Sequence, residues 1–357
     1  AETTKEDLLL NDLYSENGIQ AYWVTEKGAK AKALLLYQAL NRAEEEGLDL
    51  ARYQTQKIAA LLKAQDVDSL ARLDILLTLA MSRYLHDLRL GRAVSAKLPR
   101  SQFAAARRKK EDLFQLLLEG LNQPDPAVFL AGQAPQHREY RALKELLGVY
   151  RRLEAANAWP YIPDGPILRP GMTDKRLVRL AWRLHLSGDL PTLPPQFYTK
   201  ESAATAIKEQ PLVYDKQLVK AVKRLQHRCH LQQDGLVGKK TLAALNKPVQ
   251  TQIKKILLNM ERWRWLPNEL GDPHVIVNVP AFRLWFNESG YEPLTMRTIV
   301  GTYKDQTPSF TNEMKYLVMN PKSYVPNRIA AEELAPKVNH DPEYVNRSGF
   351  TVYDKST

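Results

Sequence analysis

The chain has 357 residues, 44% of them hydrophobic and 25% charged, a balance that fits folded protein of two or three domains and excludes a disordered or collagen-like chain. No run approaches about 18 uncharged apolar residues, so no membrane-spanning helix is expected. The net charge of +11 points toward anionic partners without naming one, and the single cysteine, Cys229, excludes an internal disulfide. The opening AETTKEDLLL has neither a basic n-region nor an apolar h-region, so any secretory leader is expected to have been removed.

Residues 1 to 158 read as helices. Leu8, Leu9, Leu10, Leu13 and Tyr14 form a helical stripe that Asn17-Gly18 ends. Ala31 to Glu46 continues with Leu34, Leu35, Leu36 and Leu40, up to Gly47. Ser69 to Leu90 places Leu73, Leu76, Leu77, Ala80 and Tyr84 at helical spacing. Lys110 to Leu121 and Tyr140 to Ala155 are two more helices, closed by Asn122-Gln123-Pro124 and by Trp159-Pro160. These stripes read as helix packing rather than ligand sites.

Tyr161 to Pro170 is turn-rich and marks a boundary. Met172 to Leu186 is a helix, and Ser187 to Pro211, with four prolines and Gly188, reads as a loose connection. Asp215 to Cys229 and Lys239 to Leu245 are helices around a turn at Asp234-Gly235. Val249 to Trp265 is amphipathic, with Ile253, Ile256, Leu257, Met260 and Trp263 on one face, and Pro267 ends it. Strand alternation then begins: Val275, Val277 and Val279, then Phe282, Leu284 and Phe286. A turn at Asn287-Glu288-Ser289-Gly290 leads to a returning strand from Leu294 to Val300. A further strand is expected at Tyr316-Leu317-Val318-Met319.

The positive charge is uneven. Pro211 to Trp265 holds twelve Lys or Arg against three Asp or Glu, and Arg107-Arg108-Lys109-Lys110 is a second basic run. A solvated basic helix face explains such runs as well as a ligand does. No nucleic-acid motif accompanies them. His227-Arg228-Cys229-His230 invites a metal reading, but no second ligand pair stands at useful spacing, so no metal site is expected. Cys229 has His230 beside it, yet neighbours on a helix do not face each other, so Cys229 is not expected to be a nucleophile. Gly235-x-x-Gly238-Lys239-Lys240-Thr241 is too short between its glycines for a phosphate loop. There is no Ser-x-x-Lys and no His-Glu-x-x-His. Glu332-Glu333 reads as a solvated face rather than a pair of glycosidase acids.

Ala221-Val222-Lys223-Arg224-Leu225-Gln226, Asp234-Gly235-Leu236-Val237-Gly238 and Thr241-Leu242-Ala243-Ala244-Leu245-Asn246 resemble a small three-helix peptidoglycan-binding module. Val222 and Leu225 are core positions, the two glycines allow a tight reversal, and Thr241 enters the closing helix. Val277-Asn278-Val279-Pro280, Leu284-Trp285-Phe286, Gly290, Val300-Gly301 and Thr307-Pro308 resemble the opening of the L,D-transpeptidase (YkuD-type) catalytic domain. Asn320 to Ala330 resembles a family segment beside the substrate cleft, with Ser323 where an aromatic is usual and Tyr324 next to it. Glu261-Arg262-Trp263-Arg264-Trp265-Leu266-Pro267, Leu13-Tyr14, Asn17-Gly18, Tyr22-Trp23 and Phe129 to Pro135 resemble the large periplasmic members of that family.

The resemblance implies a multidomain α+β protein. It has a mostly α-helical scaffold (1–165), a peptidoglycan-binding module (166–248) with an insert near 187–212, a connecting helix (249–272) and an incomplete β-rich catalytic domain (273–357) ending in a lid-type insertion. It implies a periplasmic cysteine acyltransferase of Gram-negative type that cross-links stem peptides, a carbapenem target that acts in cell-wall biogenesis and cell shape and needs no cofactor. Implied partners are stem peptides, glycan strands and other cell-wall synthesis enzymes, with no nucleic acid. Asn320, Ser323, Tyr324, Pro326 and Asn327 are the cleft candidates. Asp234, Gly235, Gly238 and Thr241 are the module motif. The family's cysteine motif and its histidine base stand nowhere in these residues; His340 is not taken as that base. The catalytic pair is therefore expected beyond residue 357, and this chain alone is expected to be inactive. The alternative is a non-catalytic peptidoglycan-binding protein or fragment.

Overall fold

The computed structural model describes residues 5–16, 18, 20–92, 113–193, 211–302, 306–321 and 324–352. The chain divides into two units, Ala1–Thr311 and Asn312–Thr357. The first begins with α1 (Lys5–Glu16), the hairpin β1–β2 (Val24–Thr25, Gly28–Ala29), α2 (Ala31–Asn41), α3 (Thr55–Leu61) and the long α4 (Val67–Leu90). After the basic run 107–110, which lies outside the described residues, come α5 (Leu113–Leu121), α6 (Pro126–Gln133) and α7 (Arg138–Ala155).

α4 shows how the sequence makes this core. Asp66 caps its first turn by accepting from Ser69 N at 2.9 Å, and Gly91 (φ 77°) ends it. Leu73, Leu77 and Met81 are fully buried, each worth about 1.5–3 kcal/mol of apolar burial. On the same buried face, Asp74 accepts from Trp23 N at 2.6 Å, from Tyr22 N at 3.3 Å and from the Tyr14 hydroxyl. Thr78 Oγ1 accepts from the Trp23 indole at 3.0 Å. A polar pair on α4 thereby fixes the segment after α1, and Trp23 is wholly buried. Burial and the Asp74 hydrogen bond both push the Tyr14 phenol up, so it stays a neutral donor.

The expected helix from Ala31 to Glu46 is broken. α2 stops at Asn41 and a 3-10 turn, Ala43–Glu46, follows. The tighter turn points Glu46 inward, where Tyr140 Oη donates to it at 2.7 Å and Lys144 pairs with it. Gly47 (φ 72°) then reverses the chain. α3, α6 and the hairpin carry no long apolar stripe, which is why periodicity did not announce them.

A second core runs from Ile162 to Leu245. β3 (Thr173–Asp174) pairs antiparallel with β4 (Leu212–Val213) on either side of α8 (Arg176–Leu186), and α9 (Lys216–Arg228) and α10 (Lys239–Leu245) follow β4. The helix expected from Met172 starts only at Arg176, because the chain at Thr173 is committed to β4, and Asp174 accepts from Arg176 N at 2.8 Å. Residues 194–210, most of the expected insert, lie outside the described residues. α11 (Val249–Arg264) returns to the first core: it packs along α7 and contributes Val249, Ile253, Ile256 and Met260.

β5 (His274–Asn278), β6 (Arg283–Asn287) and β7 (Leu294–Arg297) form one antiparallel sheet in that order. The register lines up Val275, Phe286 and Leu294, and beside them Val277, Leu284 and Met296, on one apolar face. None of the sheet's side chains is buried. Two strand ends differ from expectation. Pro280 lacks an N–H, so Val279–Ala281 forms a 3-10 turn capped by Asn278, and Phe282 takes a left-handed conformation (φ 53°). β7 stops at Arg297, opposite Arg283 where its partner strand begins, and among the described residues Val300 belongs to no strand pair.

In the second unit, Asn327–Ile329, a π-helical turn Ala330–Leu334, Ala335–His340 and Tyr344–Arg347 form a short helical run. Glu332 and Glu333 are exposed on it. Tyr316–Met319, expected as a strand, is irregular and largely exposed, since no described strand lies alongside to take its hydrogen bonds. No helix among the described residues is long and apolar enough to cross a membrane.

Candidate functional site

The motif residues of the second core converge on one side chain. α9 is capped by Asp215, which accepts from Leu218 N at 2.8 Å, and buries Leu218, Ala221, Val222, Leu225 and Gln226. Gln226 is 1% exposed. Its amide nitrogen donates to Asp234 Oδ1 at 2.8 Å, to Leu236 O at 3.0 Å and to Thr241 Oγ1 at 3.2 Å. Its carbonyl oxygen accepts from Gly235 N at 2.9 Å. Tyr214 Oη donates to Gly235 O at 2.7 Å from the other side.

Gly235 and Thr241 thus join Gln226 in one buried knot, while Asp234 is bonded to the same side chain from the exposed rim of the turn. The Leu236 N–H, 2.9 Å away, and the Gln226 amide hold the Asp234 carboxyl below the usual carboxylate range. Sequence reasoning quoted Gln226 within its motif but assigned it no role. The signal was there, since a Gln at a core position of an amphipathic helix has to find partners.

The two glycines do different jobs. Gly235 has φ 74°, and a Cβ there would stand 2.9 Å from Val219 Cγ1. Gly238 is the N-cap of α10 at φ −94° with open space around it, so the tight reversal needs only the first. Gly235→Ala is expected to cost about 1–2 kcal/mol from the left-handed backbone before any clash. Gly238→Ser should be neutral or stabilising by about a few tenths of a kcal/mol, as serine caps better. Chemical denaturation of the two variants against wild type tests the contrast, which equal losses would refute.

Cys229 follows α9 as its C-cap and lies half-buried against the second core. His227 is on the exposed face, and His230 has already left the helix at φ 54°. Among the described residues no cluster of His, Cys, Asp or Glu could hold a metal ion.

Glu261 to Pro267 anchors α11 into the first core. Arg264 is 1% exposed; its guanidinium donates to Glu261 Oε2 at 3.1 Å, to Tyr140 Oη at 2.9 Å and to the Glu46 carbonyl. Glu261 also accepts from the Trp265 indole at 3.2 Å and from the Arg92 backbone.

The cleft candidates all belong to the second unit. Asn320 (φ 49°), Tyr324, Pro326 and Asn327 are exposed along irregular chain that enters the turn at Asn327–Ile329, and Ser323 lies outside the described residues. The described geometry does not gather them around a common point.

Three family models match, in chain order: a scaffold domain at residues 9–147, a "putative peptidoglycan binding domain" at 201–245, and an L,D-transpeptidase catalytic domain at 272–356. A relative described as a "putative L,D-transpeptidase", from Haemophilus influenzae strain Rd, is 31% identical over 101 residues. The resemblance to the L,D-transpeptidases is borne out. That aligned stretch is 28% of this chain and 20% of the relative, so the chain spans about a fifth of the length of the curated L,D-transpeptidase it matches. The first matched region coincides with the first core up to α7, the second ends with α10, and the third opens just before β5.

Proposed function

We propose that this chain is part of a peptidoglycan L,D-transpeptidase of the periplasm, made with a leader that is removed. Support comes above all from the order of the three matched regions, scaffold, peptidoglycan-binding module and catalytic entry, within one chain. The domain limits 1–165, 166–248, 249–272 and 273–357 go with this reading. So do stem peptides and glycan strands as ligands, and other cell-wall synthesis enzymes as partners.

In the proposed reaction a cysteine thiolate attacks the acyl-donor carbonyl of one stem peptide. The C–N bond breaks, D-alanine leaves with a proton on its amine, and a thioester remains. An amine of a second stem then attacks the thioester and releases the thiol, and backbone donors hold each oxyanion. Asn320, Ser323, Tyr324, Pro326 and Asn327 are proposed to line the donor cleft. Cys229 is not the nucleophile: it is packed against the module's core and its sequence neighbour His230 has turned off the helix. The histidine and cysteine that act are expected outside residues 1–357.

The test is intact mass after carbapenem treatment of the full gene product. Wild type and Cys229→Ser should each gain one adduct and release D-alanine from a tetrapeptide donor at the same rate, while residues 1–357 alone gain none. Loss of the adduct in Cys229→Ser, or an adduct on residues 1–357, overturns the assignment.

A further inference from the structure

The face of α9 turned away from the core carries Lys220, Lys223, Arg224 and His227. Their spacing of three, four and seven residues sets all four on one stripe, and all four are exposed. With Gln233 they line an open groove of about 330 Å³. Arg224 is steadied there, since its guanidinium donates to Asp189 O at 3.2 Å.

The nearby acids are committed elsewhere. The Asp189 carboxylate holds Arg228 at 2.6 Å and accepts from Ser187 Oγ at 2.6 Å. Asp234 is tied to Gln226 and to the Leu236 N–H. Among the described residues no carboxylate forms an ion pair with Lys220, Lys223 or His227. Like charges on adjacent turns destabilise a helix, and of the described carboxylates only Asp234, whose charge the Lys223 ammonium helps to stabilise, offsets part of that cost.

We propose that this groove takes the carboxylates of peptidoglycan stem peptides, so that the module reads the acidic peptide rather than the neutral sugar. Two lysines supply point charges and Arg224 a planar fork suited to a carboxylate. Among the described residues the groove offers none of Trp, Tyr or Phe, the flat faces on which sugar rings would stack. The proposal rests on the reading of this region as a peptidoglycan-binding module.

The test uses the full chain and four probes: a disaccharide-tetrapeptide with free carboxylates, the same compound with its carboxylates amidated, an uncharged N-acetylglucosamine oligomer, and phosphatidylglycerol vesicles. Wild type should bind the free-acid compound about tenfold or more tighter than the amidated one, with affinity falling as salt rises. The variant Lys220→Gln/Lys223→Gln/Arg224→Gln should lose that preference. A second variant, Lys223→Glu alone, should weaken binding in the same direction and guards against misfolding of the triple variant. Equal affinity for free and amidated compounds, or unchanged binding by the variants, overturns the proposal. Variant-sensitive binding that is tighter to the vesicles or to the sugar oligomer overturns it too. Binding of intact sacculi separates the two levels: wild type that fails to bind them refutes the module reading itself, whereas wild type and variants that bind alike refute only the groove.

Discussion

Arg264→Ala is expected to cost about 3–5 kcal/mol, the range for removing one partner from a buried charged network. The guanidinium is 1% exposed and bonds to three separate places: Glu261 on its own helix, Tyr140 on α7 and the Glu46 carbonyl at the end of the 3-10 turn. Its removal withdraws the donor from a buried carbonyl and leaves a void beside Tyr140. It also loosens the end of α11 that keeps Met260 fully buried in the first core. Lysine should not rescue it, because one ammonium cannot span partners arranged around a planar fork. The measurement is the urea midpoint of the full chain, with slope unchanged. A loss below about 1 kcal/mol, the size expected of a surface pair, would show that Arg264 is not holding α11 in solution. Since β5 begins ten residues after Arg264, the same anchor fixes where the sheet leaves the helical part of the chain.

Particular residues show why some of this was legible in sequence and some was not. Leu73, Leu77, Val222 and Leu225 recur at helical spacing, and all four are buried where the period places them. The strand pairing of His274 to Asn278 with Arg283 to Asn287 follows from alternation and a short connection. Asp74, Gln226 and Arg264 are polar or charged residues whose worth comes from partners 51 to 60, 8 to 15 and more than 120 residues away, and no local period encodes such partners. Tyr316–Met319 fails in the other direction: its composition suits a strand, but a strand needs a neighbour to bond. The proposed cleft residues were carried by a motif alone; Asn320, Tyr324 and Pro326 lie exposed on irregular chain and Asn327 is exposed at the start of a short helical turn.

Gln226→Ala should destabilise the second core by about 3 kcal/mol, because it leaves buried groups without partners as well as a void. The Gly235 N–H, the Leu236 carbonyl and the Thr241 hydroxyl each lose a bond, and the turn between α9 and α10 loses the side chain that fixes its width. Gln226→Glu separates the donor from the acceptor role. It keeps an oxygen for the Gly235 N–H but sets a second carboxylate against Asp234, so the glutamate's folded pKa is raised. A raised carboxylate pKa means stability present at low pH and lost as pH rises through the folded value. The native Asp234 carboxyl is held low, so its contribution is present above the usual carboxylate range and fades as pH falls through the depressed value. The difference in stability between Gln226→Glu and wild type should therefore narrow as pH is lowered from 7 toward the carboxylate range. Denaturation at a series of pH values measures that difference directly. A gap that stays constant would mean the 226 side chain does not face Asp234, and the knot at the centre of the module motif would have to be redrawn.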